Sequence, residues 1–439
     1  MNTETPTPFT GTLPEWLGYL EQLHSREIDL GLERVSEVAR RLGVPTASTG
    51  RLPRVLTFAG TNGKGSTLAM VESMALAAGY QVGSYTSPHF LHFNERIKIQ
   101  GTPVATATLV EAFEKIEQAR LADNNAVVSL SYFEFATLAA LVIFAESNLD
   151  LWLLEVGLGG RLDAVNLVDA DVAVVTTLGL DHQDYLGDDL ESIGREKAGI
   201  FRAGCPAVLG STCLPLSVID QAQKLGCQRL QLGQDFLQEN QGATWVWQGQ
   251  NAAGHSLKFS QLPWPVLPKD NAATSIQALL ATGLDVSEEA VRSGLAKVQL
   301  AGRMQRHGAW LLDVAHNPQA AEHLAQRLAE QPAKRRLAIL GMMKDKDQLA
   351  TVSPLLDLVD AWAVTALPLA RAEQPQALQA LLEGLGASVV SCYLQSDGEA
   401  LYQQAQAALQ QGLYDEVLVF GSFFTLALIM EKLAAEEES

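Results

Sequence analysis

The sequence predicts an α/β protein built of two parallel-sheet domains, and three observations carry that prediction. Apolar β-branched runs alternate with stretches of helical spacing along most of the chain, the pattern of strand–helix–strand units. One such unit, Val55 to Gly79, carries a glycine-rich turn with a lysine between its strand and its helix. A second alternating series begins at Trp310, after a proline-rich interruption, and has no glycine turn of that kind. At 439 residues the chain exceeds one ordinary domain, so two hydrophobic cores are expected.

The first unit is the most informative. The run Val55 to Phe58 breaks at Gly60, and Thr61-Asn62-Gly63-Lys64-Gly65-Ser66-Thr67 follows. Leu68, Val71, Ala75 and Ala78 then recur at helical spacing, with Gly79 where a helix ends. Glycines let backbone N–H groups turn toward an anion, the helix N-terminus adds partial positive charge, and a lysine neutralises the outer phosphates. A hydroxyl beyond the lysine suits Mg²⁺. The general P-loop pattern has glycine where Phe58 stands and Ser or Thr where Gly65 stands. The segment therefore reads as a nucleotide phosphate loop of a particular variety.

Lys+Arg number 31 and Asp+Glu 50, a net charge of −19, which argues against a nucleic-acid or anionic-membrane partner. A phosphate loop acts locally, so anionic substrates are not excluded. Cys205, Cys213, Cys227 and Cys392 form no Cys-x-x-Cys pair and read as reduced, mostly buried thiols. The first ten residues lack the basic and apolar regions of a signal peptide. The apolar run Phe135 to Ala145 is too short to span a bilayer and reads as a buried helix. A cytoplasmic protein is expected, and a monomer, since no apolar stripe stands out.

Taken in order, Trp16, Leu17, Leu20 and Leu23 have helical spacing, and a second helix runs to about Leu42. Between them, Ile28, Asp29 and Leu30 read from spacing alone as a helix-linking turn. A strand from Gln81 to Tyr85 ends in Thr86-Ser87-Pro88-His89. Its C-terminal end belongs on the phosphate-loop edge of the sheet, where ligands of open α/β sheets bind. Ser87 is there either a Mg²⁺ or phosphate contact or a turn hydroxyl before proline. Ser131, Tyr132, Phe133 and Glu134 precede the buried helix, and the two aromatics read as core more than as a stacking platform. Leu151 to Leu154 is an apolar run ending in Glu155 and a glycine cluster, followed by Arg161, Leu162, Asp163 and Ala164. It reads as a central parallel strand whose acid holds a metal. A strand from Asp171 to Thr177 leads to Asp181-His182, and His182 is a further ligand candidate or a structural histidine. Lys197 reads as a solvated helix lysine.

Residues 228–262 change character. Thr244 to Trp247 and Leu257 to Phe259 read as an antiparallel hairpin, closed by Pro263, Pro265 and Pro268. Asn271 opens an alanine-rich helix, and Ser287 to Leu295 is a short one. From Trp310 the second series runs: strands at Trp310 to Val314, Arg336 to Leu340, Ala361 to Thr365, Ser388 to Cys392 and Glu416 to Phe420, with helices from Gln319 and Glu399. Asp313 and His316 end its first strand, expected to face the first domain across a cleft. The whole reads as an N-terminal P-loop ATPase-like parallel-sheet domain with a small β-hairpin subdomain, residues 1–298, and a C-terminal Rossmann-like α/β domain, residues 299–439.

A nucleotide site, strand-end metal ligands and a second domain suit ATP-driven ligation. Transfer of the γ-phosphoryl to a carboxylate makes an acyl phosphate that an amine then attacks. The phosphate loop resembles that of the amide ligases that include Mur cell-wall ligases and folylpolyglutamate synthases. Joined to Tyr85-Thr86-Ser87-Pro88-His89, Asn94-Glu95-Arg96, Leu154-Glu155-Val156-Gly157-Leu158-Gly159-Gly160-Arg161-Leu162-Asp163, Asp181-His182 and Asp313-Val314-Ala315-His316-Asn317-Pro318, it is similar to the folylpolyglutamate synthase/dihydrofolate synthase family, nearest the bifunctional bacterial type. The similarity runs from about Trp16 to about Met430.

The resemblance implies roles. Gly60, Thr61, Asn62, Gly63, Lys64, Gly65 and Ser66 would hold ATP phosphates, and Asn271, Arg303 and Asp313 would contact ATP. Ser87, Glu155 and His182 would bind two Mg²⁺ ions. Lys64, Lys197 and His316 would serve the chemistry, Lys197 as a CO₂-derived carbamate. The pterin would rest near Ile28, Asp29 and Leu30, near Ser131, Tyr132, Phe133 and Glu134, and near Leu162, Asp163 and Ala164. Those pterin and Lys197 roles differ from the spacing-only readings. Ser422 is a glutamate-side candidate, and Phe424 departs from the polar residue common in the family. The implied reaction joins L-glutamate to dihydropteroate with ATP, then adds γ-linked glutamates to reduced folates. The rivals are a polyglutamate synthase without the first activity, a Mur-type ligase and a nucleotide-binding module. A Mur-type ligase should carry an additional N-terminal domain, yet fewer than 60 residues precede the loop. A GTP switch needs an Asn-Lys-x-Asp reader that is absent from the sequence.

Overall fold

In the structure, a computed structural model, residues 7–26, 28–46, 53–123 and 126–437 are described. Two compact units divide the chain: the described residues of Met1–His89 and Phe93–Val298, and those of Phe90–His92 and Gln299–Ser439.

The first unit holds an eight-stranded sheet. Its strands are β1 (Arg54–Ala59), β2 (Val82–Tyr85), β3 (Ile97–Ile99), β4 (Thr102–Pro103), β5 (Leu151–Glu155), β6 (Val172–Val175), β7 (Pro206–Leu209) and β8 (Gln228–Gln231). The spatial order is β4-β3-β2-β5-β1-β6-β7-β8. The β3 pairings are antiparallel and the rest parallel. β5 inserts between β2 and β1, while β6 lies on the other flank of β1. The chain thus leaves the sheet centre in both directions, and the crevice where an open α/β sheet binds ligands lies beyond the C-terminal ends of β5, β1 and β6. Register places Glu155 opposite Phe58, two residues before Gly60.

Burial explains why Leu151 to Leu154 read as an unbroken apolar run: helices cover both faces of a central parallel strand. All four residues are buried; truncation of such a side chain to alanine destabilises by about 2–5 kcal/mol. The helix Tyr132–Glu146 is buried along nearly its whole length, from Glu134 to Phe144. Its Phe135 meets Phe113 and Trp16 edge-on and tilted, which joins the N-terminal helix to the core.

The expected hairpin is a three-stranded antiparallel sheet: β9 (Leu237–Gln241), β10 (Thr244–Gln250) and β11 (Ser256–Pro263), with β10 central. The additional strand carries Gln, Glu and Asn and is mostly exposed, so it has no apolar alternation to announce it. Trp247 donates its indole N–H to the Ala273 carbonyl and fastens this sheet to the helix Lys269–Ala281.

The second unit holds β12 (Gln305–His307), β13 (Trp310–Leu312), β14 (Arg336–Leu340), β15 (Ala361–Thr365), β16 (Val389–Tyr393) and β17 (Glu416–Phe420), in the order β12-β13-β17-β14-β15-β16. All neighbours are parallel except β12 with β13. The short polar β12 was not legible. The helix Phe423–Glu437 ends the described residues. Glu416, fully buried in β17, takes Arg306, Lys334 and Arg336 at 2.5, 2.7 and 2.8 Å. The thiols are less buried than expected: Cys213 is exposed and the other three half-buried.

Candidate active site

The loop after β1 is held by the edge of β6. The N–H groups of Thr61 and Asn62 both donate to the Thr177 carbonyl, at 2.8 and 3.4 Å. Thr176 and Thr177 donate their hydroxyls to the Asn62 carbonyl. Such close approach requires glycine at 60, where an added Cβ would fall 1.9 Å from the Thr176 hydroxyl. Gly63, at φ +90°, turns the chain in the left-handed region into the helix Lys64–Ala77. The helix start leaves backbone N–H groups of its first turn without intrahelical acceptors, as an anion site needs. Within the expected set, the amides of Thr61 and Asn62 are engaged by Thr177, just past β6, which leaves those from Gly63 to Ser66 as the candidates to face an anion.

Ser66 is buried and its hydroxyl accepts the Asn271 amide at 2.9 Å. Asn271, on the helix Lys269–Ala281, thereby reaches the phosphate loop from a segment 205 positions away. Gly65, where the usual hydroxyl residue would stand, lies beside Glu155: a Cβ there would be in ordinary contact with Glu155 Oε1 at 3.6 Å.

Two lysines converge on one carbonyl. Lys64 and Lys197 donate to Gly60 O at 3.1 and 3.0 Å. The reading of Lys197 as a solvated helix lysine is corrected, because it is 5% exposed at the end of the helix Leu190–Lys197. Burial, with the Lys64 charge adding to it, pushes its amine down to about 7 against the pull of Asp181 and Asp163. Burial thus favours the uncharged amine, which is the form that adds CO₂.

Glu155 is 6% exposed at the end of β5, and one of its oxygens accepts the Ser87 N–H at 3.1 Å. Ser87 and Glu155 are thus brought together beside the loop. The Ser87 hydroxyl and the Glu155 carboxylate are hard oxygen donors, of the kind that take a divalent ion such as Mg²⁺. His182 follows β6, in the left-handed conformation at φ +51°, its ring 4.0 Å from Asp181. Among the described residues no three of His, Cys, Asp and Glu form a ligand group, so an ion here would draw on Ser87 and on substrate oxygens as well.

The three segments expected around the pterin meet. Arg34 bridges Asp29 at 2.6 Å and Glu134 at 3.1 Å, and the Gly31 N–H donates to the Leu162 carbonyl. Ile28 and Leu30, half-buried, flank Asp29 in that turn. Ser131 and Glu134 form a reciprocal capping box at the start of the helix Tyr132–Glu146. Their side chains build the helix end, and Ser-x-x-Glu was the signal that could have shown it. Phe133 packs on Gly157, while Tyr132 takes the Arg96 guanidinium over its ring. Asp163 accepts N–H bonds from Gly157, Leu158 and Val165. Burial still pushes it up to about 6, against those bonds and Lys64. It shapes the glycine loop, leaving Leu162 and Ala164 as its neighbours on the chain. Arg34 and His24, which bonds Asp29 and Ser129, were missed, since ordinary helix and loop positions give no signal of a bridge.

In the second unit Asp313 follows β13 and accepts the Met304 and Ala315 N–H groups. Burial raises its pKa, opposed by Arg303. Arg303 and His316 lie 6.0 and 6.3 Å from the Phe423 ring, which makes that phenylalanine their common support. The Ser422 hydroxyl accepts the Thr425 N–H and contacts the Thr425 hydroxyl, so it caps the last helix.

Two family models match the chain: the Mur ligase middle domain over residues 58–256 and the Mur ligase glutamate ligase domain over 302–423. The dihydrofolate synthase/folylpolyglutamate synthase of Escherichia coli K12 is 45% identical over 436 residues, 96% of either chain. That of Haemophilus influenzae is 38% identical, over 95% of this chain and 97% of its own. Among solved structures, E. coli FolC in complex with DHPP and ADP aligns with a TM-score of 0.87 at 44% identity, covering 98% of this chain and all of that one. The Yersinia pestis bifunctional enzyme complexed with AMPPNP and Mn aligns at 0.85 and 42%, with the same coverage. The phosphate loop, the Glu155 strand end and both family models thus point one way: the chain belongs to the dihydrofolate synthase/folylpolyglutamate synthase family of Mur-type ligases.

Proposed function

We propose that this chain is an ATP-dependent, ADP-forming ligase that joins L-glutamate to dihydropteroate and adds further γ-linked glutamates to reduced folates. The observation that carries the reading is the convergence of Lys64 and Lys197 on the Gly60 carbonyl beside a buried Glu155, in a chain 45% identical to a bifunctional relative along nearly its full length. The substrate carboxylate attacks the γ-phosphorus of ATP and ADP leaves, giving an acyl phosphate. The glutamate amine then attacks the carbonyl carbon, and inorganic phosphate departs with the C–O bond. The chain's part is positioning and charge. The amides from Gly63 to Ser66 and the Lys64 ammonium orient the phosphates, and Asn271 holds the loop through Ser66. Ser87, Glu155 and His182 would hold Mg²⁺, which would supply charge neutralisation to the phosphoryl transfer. Lys197, as a carbamate, would present an anion to that ion.

Residues 1–298 are assigned to ATP and pterin, with Asp29, the Phe133 ring and the Leu162–Ala164 backbone at the pterin. Residues 299–439 are assigned to glutamate addition, with Arg303, Asp313 and His316 toward ATP and Ser422 shaping the glutamate side. A cytoplasmic monomer completes the reading; light scattering tests the monomer. Among the described residues no helix is long and apolar enough to cross a membrane.

The test is ADP release with ATP, Mg²⁺ and glutamate, comparing dihydropteroate with tetrahydrofolate as acceptor. Turnover with both is expected, and Lys64→Ala should abolish both while the fold persists. Turnover with tetrahydrofolate alone would reduce the chain to a polyglutamate synthase, and silence with both would overturn the reading.

A further inference from the structure

The phosphate loop and the segment carrying His182 are laced together at one side chain. Thr61 Oγ1 donates to the Gly179 carbonyl at 3.0 Å and accepts the Gly179 N–H at 3.1 Å. Its own N–H holds the Thr177 carbonyl, and Asn62 and Thr177 form an isolated antiparallel bridge. The single proton of this hydroxyl and one of its two acceptor lone pairs are therefore used on a single backbone residue. That residue lies three positions before His182, whose left-handed backbone is disfavoured for a side chain with a Cβ and persists only where surroundings hold it. Asp181 accepts the His182 N–H at 2.9 Å and keeps the turn closed locally. Leu180 and Tyr185, on either side of Asp181 and His182, are exposed, whereas Leu178 packs against the core and Leu186 is buried, so the segment is anchored at its ends and open between them.

We infer that Thr61 is a positioning residue: its hydroxyl serves Gly179 instead of a phosphate, and it couples occupation of the phosphate loop to the placement of His182 for the metal. The inference rests on the proposed readings of residues 60–66 as a nucleotide phosphate loop and of His182 as a metal ligand. Nucleotide phosphates immobilise the loop, the Thr61–Gly179 clamp transmits that order to residues 178–187, and His182 is presented to the ion. The methyl group of threonine is not needed for this, and the hydroxyl is.

Three measurements separate this role from a phosphate contact and from mere packing. Calorimetric titration with ADP in EDTA should give Thr61→Val an affinity within about twofold of the wild type, because the amides of Gly63 to Ser66 are intact. Mn²⁺ titration followed by electron paramagnetic resonance, with ADP saturating, should show about tenfold weaker binding in Thr61→Val, the loss usual when an outer support of a ligand is removed, and wild-type binding in Thr61→Ser. Hydrogen–deuterium exchange on the wild-type chain should slow in residues 178–187 when ADP is added without metal, a readout that needs no variant to fold. A loss of metal-free ADP binding in Thr61→Val equal to the Mn²⁺ loss would make the hydroxyl a phosphate contact and overturn the inference. Unchanged Mn²⁺ binding, or unchanged exchange at 178–187 with ADP bound, would also overturn it. Failure of the phosphate-loop reading looks different: the wild type itself would not bind ADP.

Discussion

Replacing Lys197 with methionine removes a buried amine while keeping a side chain of similar length. The amine titrates at about 7 in the folded protein against 10.5 for an ordinary lysine. Burial is the main cause and the Lys64 charge, on the same carbonyl, the second. Between pH 7 and 10.5 the unfolded chain therefore carries a proton that the folded chain lacks, so stability rises with pH across that window and is flat below it. At about 1.4 kcal/mol per pH unit the window amounts to about 5 kcal/mol. From pH 7 to pH 9 the wild type should gain about 2 kcal/mol relative to Lys197→Met. The measurement is urea unfolding at pH 6, 7, 8 and 9 in CO₂-free buffer, followed by tryptophan fluorescence, with the difference between the two proteins as the quantity compared. Other titrating groups cancel in that difference. Lys64→Met should narrow the window from below, because a like charge is removed and the Lys197 value moves back toward 10.5. Parallel pH profiles for wild type and Lys197→Met would refute the reasoning, since a lysine charged in both states contributes no slope.

Glu155→Gln keeps the shape and the Ser87 contact but removes the charge beside Gly65; it should reduce turnover at least about a hundredfold and abolish its dependence on added Mg²⁺, and an unaltered magnesium titration would remove Glu155 from the metal site. Glu416→Gln leaves Arg306, Lys334 and Arg336 with one neutral partner and should destabilise the second unit by about 3–5 kcal/mol, read from urea unfolding of the full chain. Burial opposes the charge on Glu416, but bonds from Lys334, Arg336 and Arg306 prevail and bring its pKa to about 2. Its contribution is therefore complete above about pH 4.5 and lost as pH falls toward 2, and Glu416→Gln should lose less stability than the wild type over that interval.

The sequence by itself determined those features that depend on neighbours along the chain. The strand, glycine turn and helix around Lys64 are local, as are the apolar runs Leu151–Leu154 and Glu416–Phe420, and they stand where the residues say. The polar strands β9 and β12 escaped detection because edge strands with exposed faces need no alternation. The tertiary structure decided which groups share an environment. Lys197 looks like any lysine near a helix end; only the pairing of β1 with β6 and the packing around Gly60 bury it beside Lys64. Arg34 joins Asp29, 5 positions before it on the chain, to Glu134, 100 positions after it. Thr61 faces Gly179 rather than solvent because β6 runs alongside β1. Desolvation and long-range pairing depend on what the fold brings close, and neither has a period along the chain.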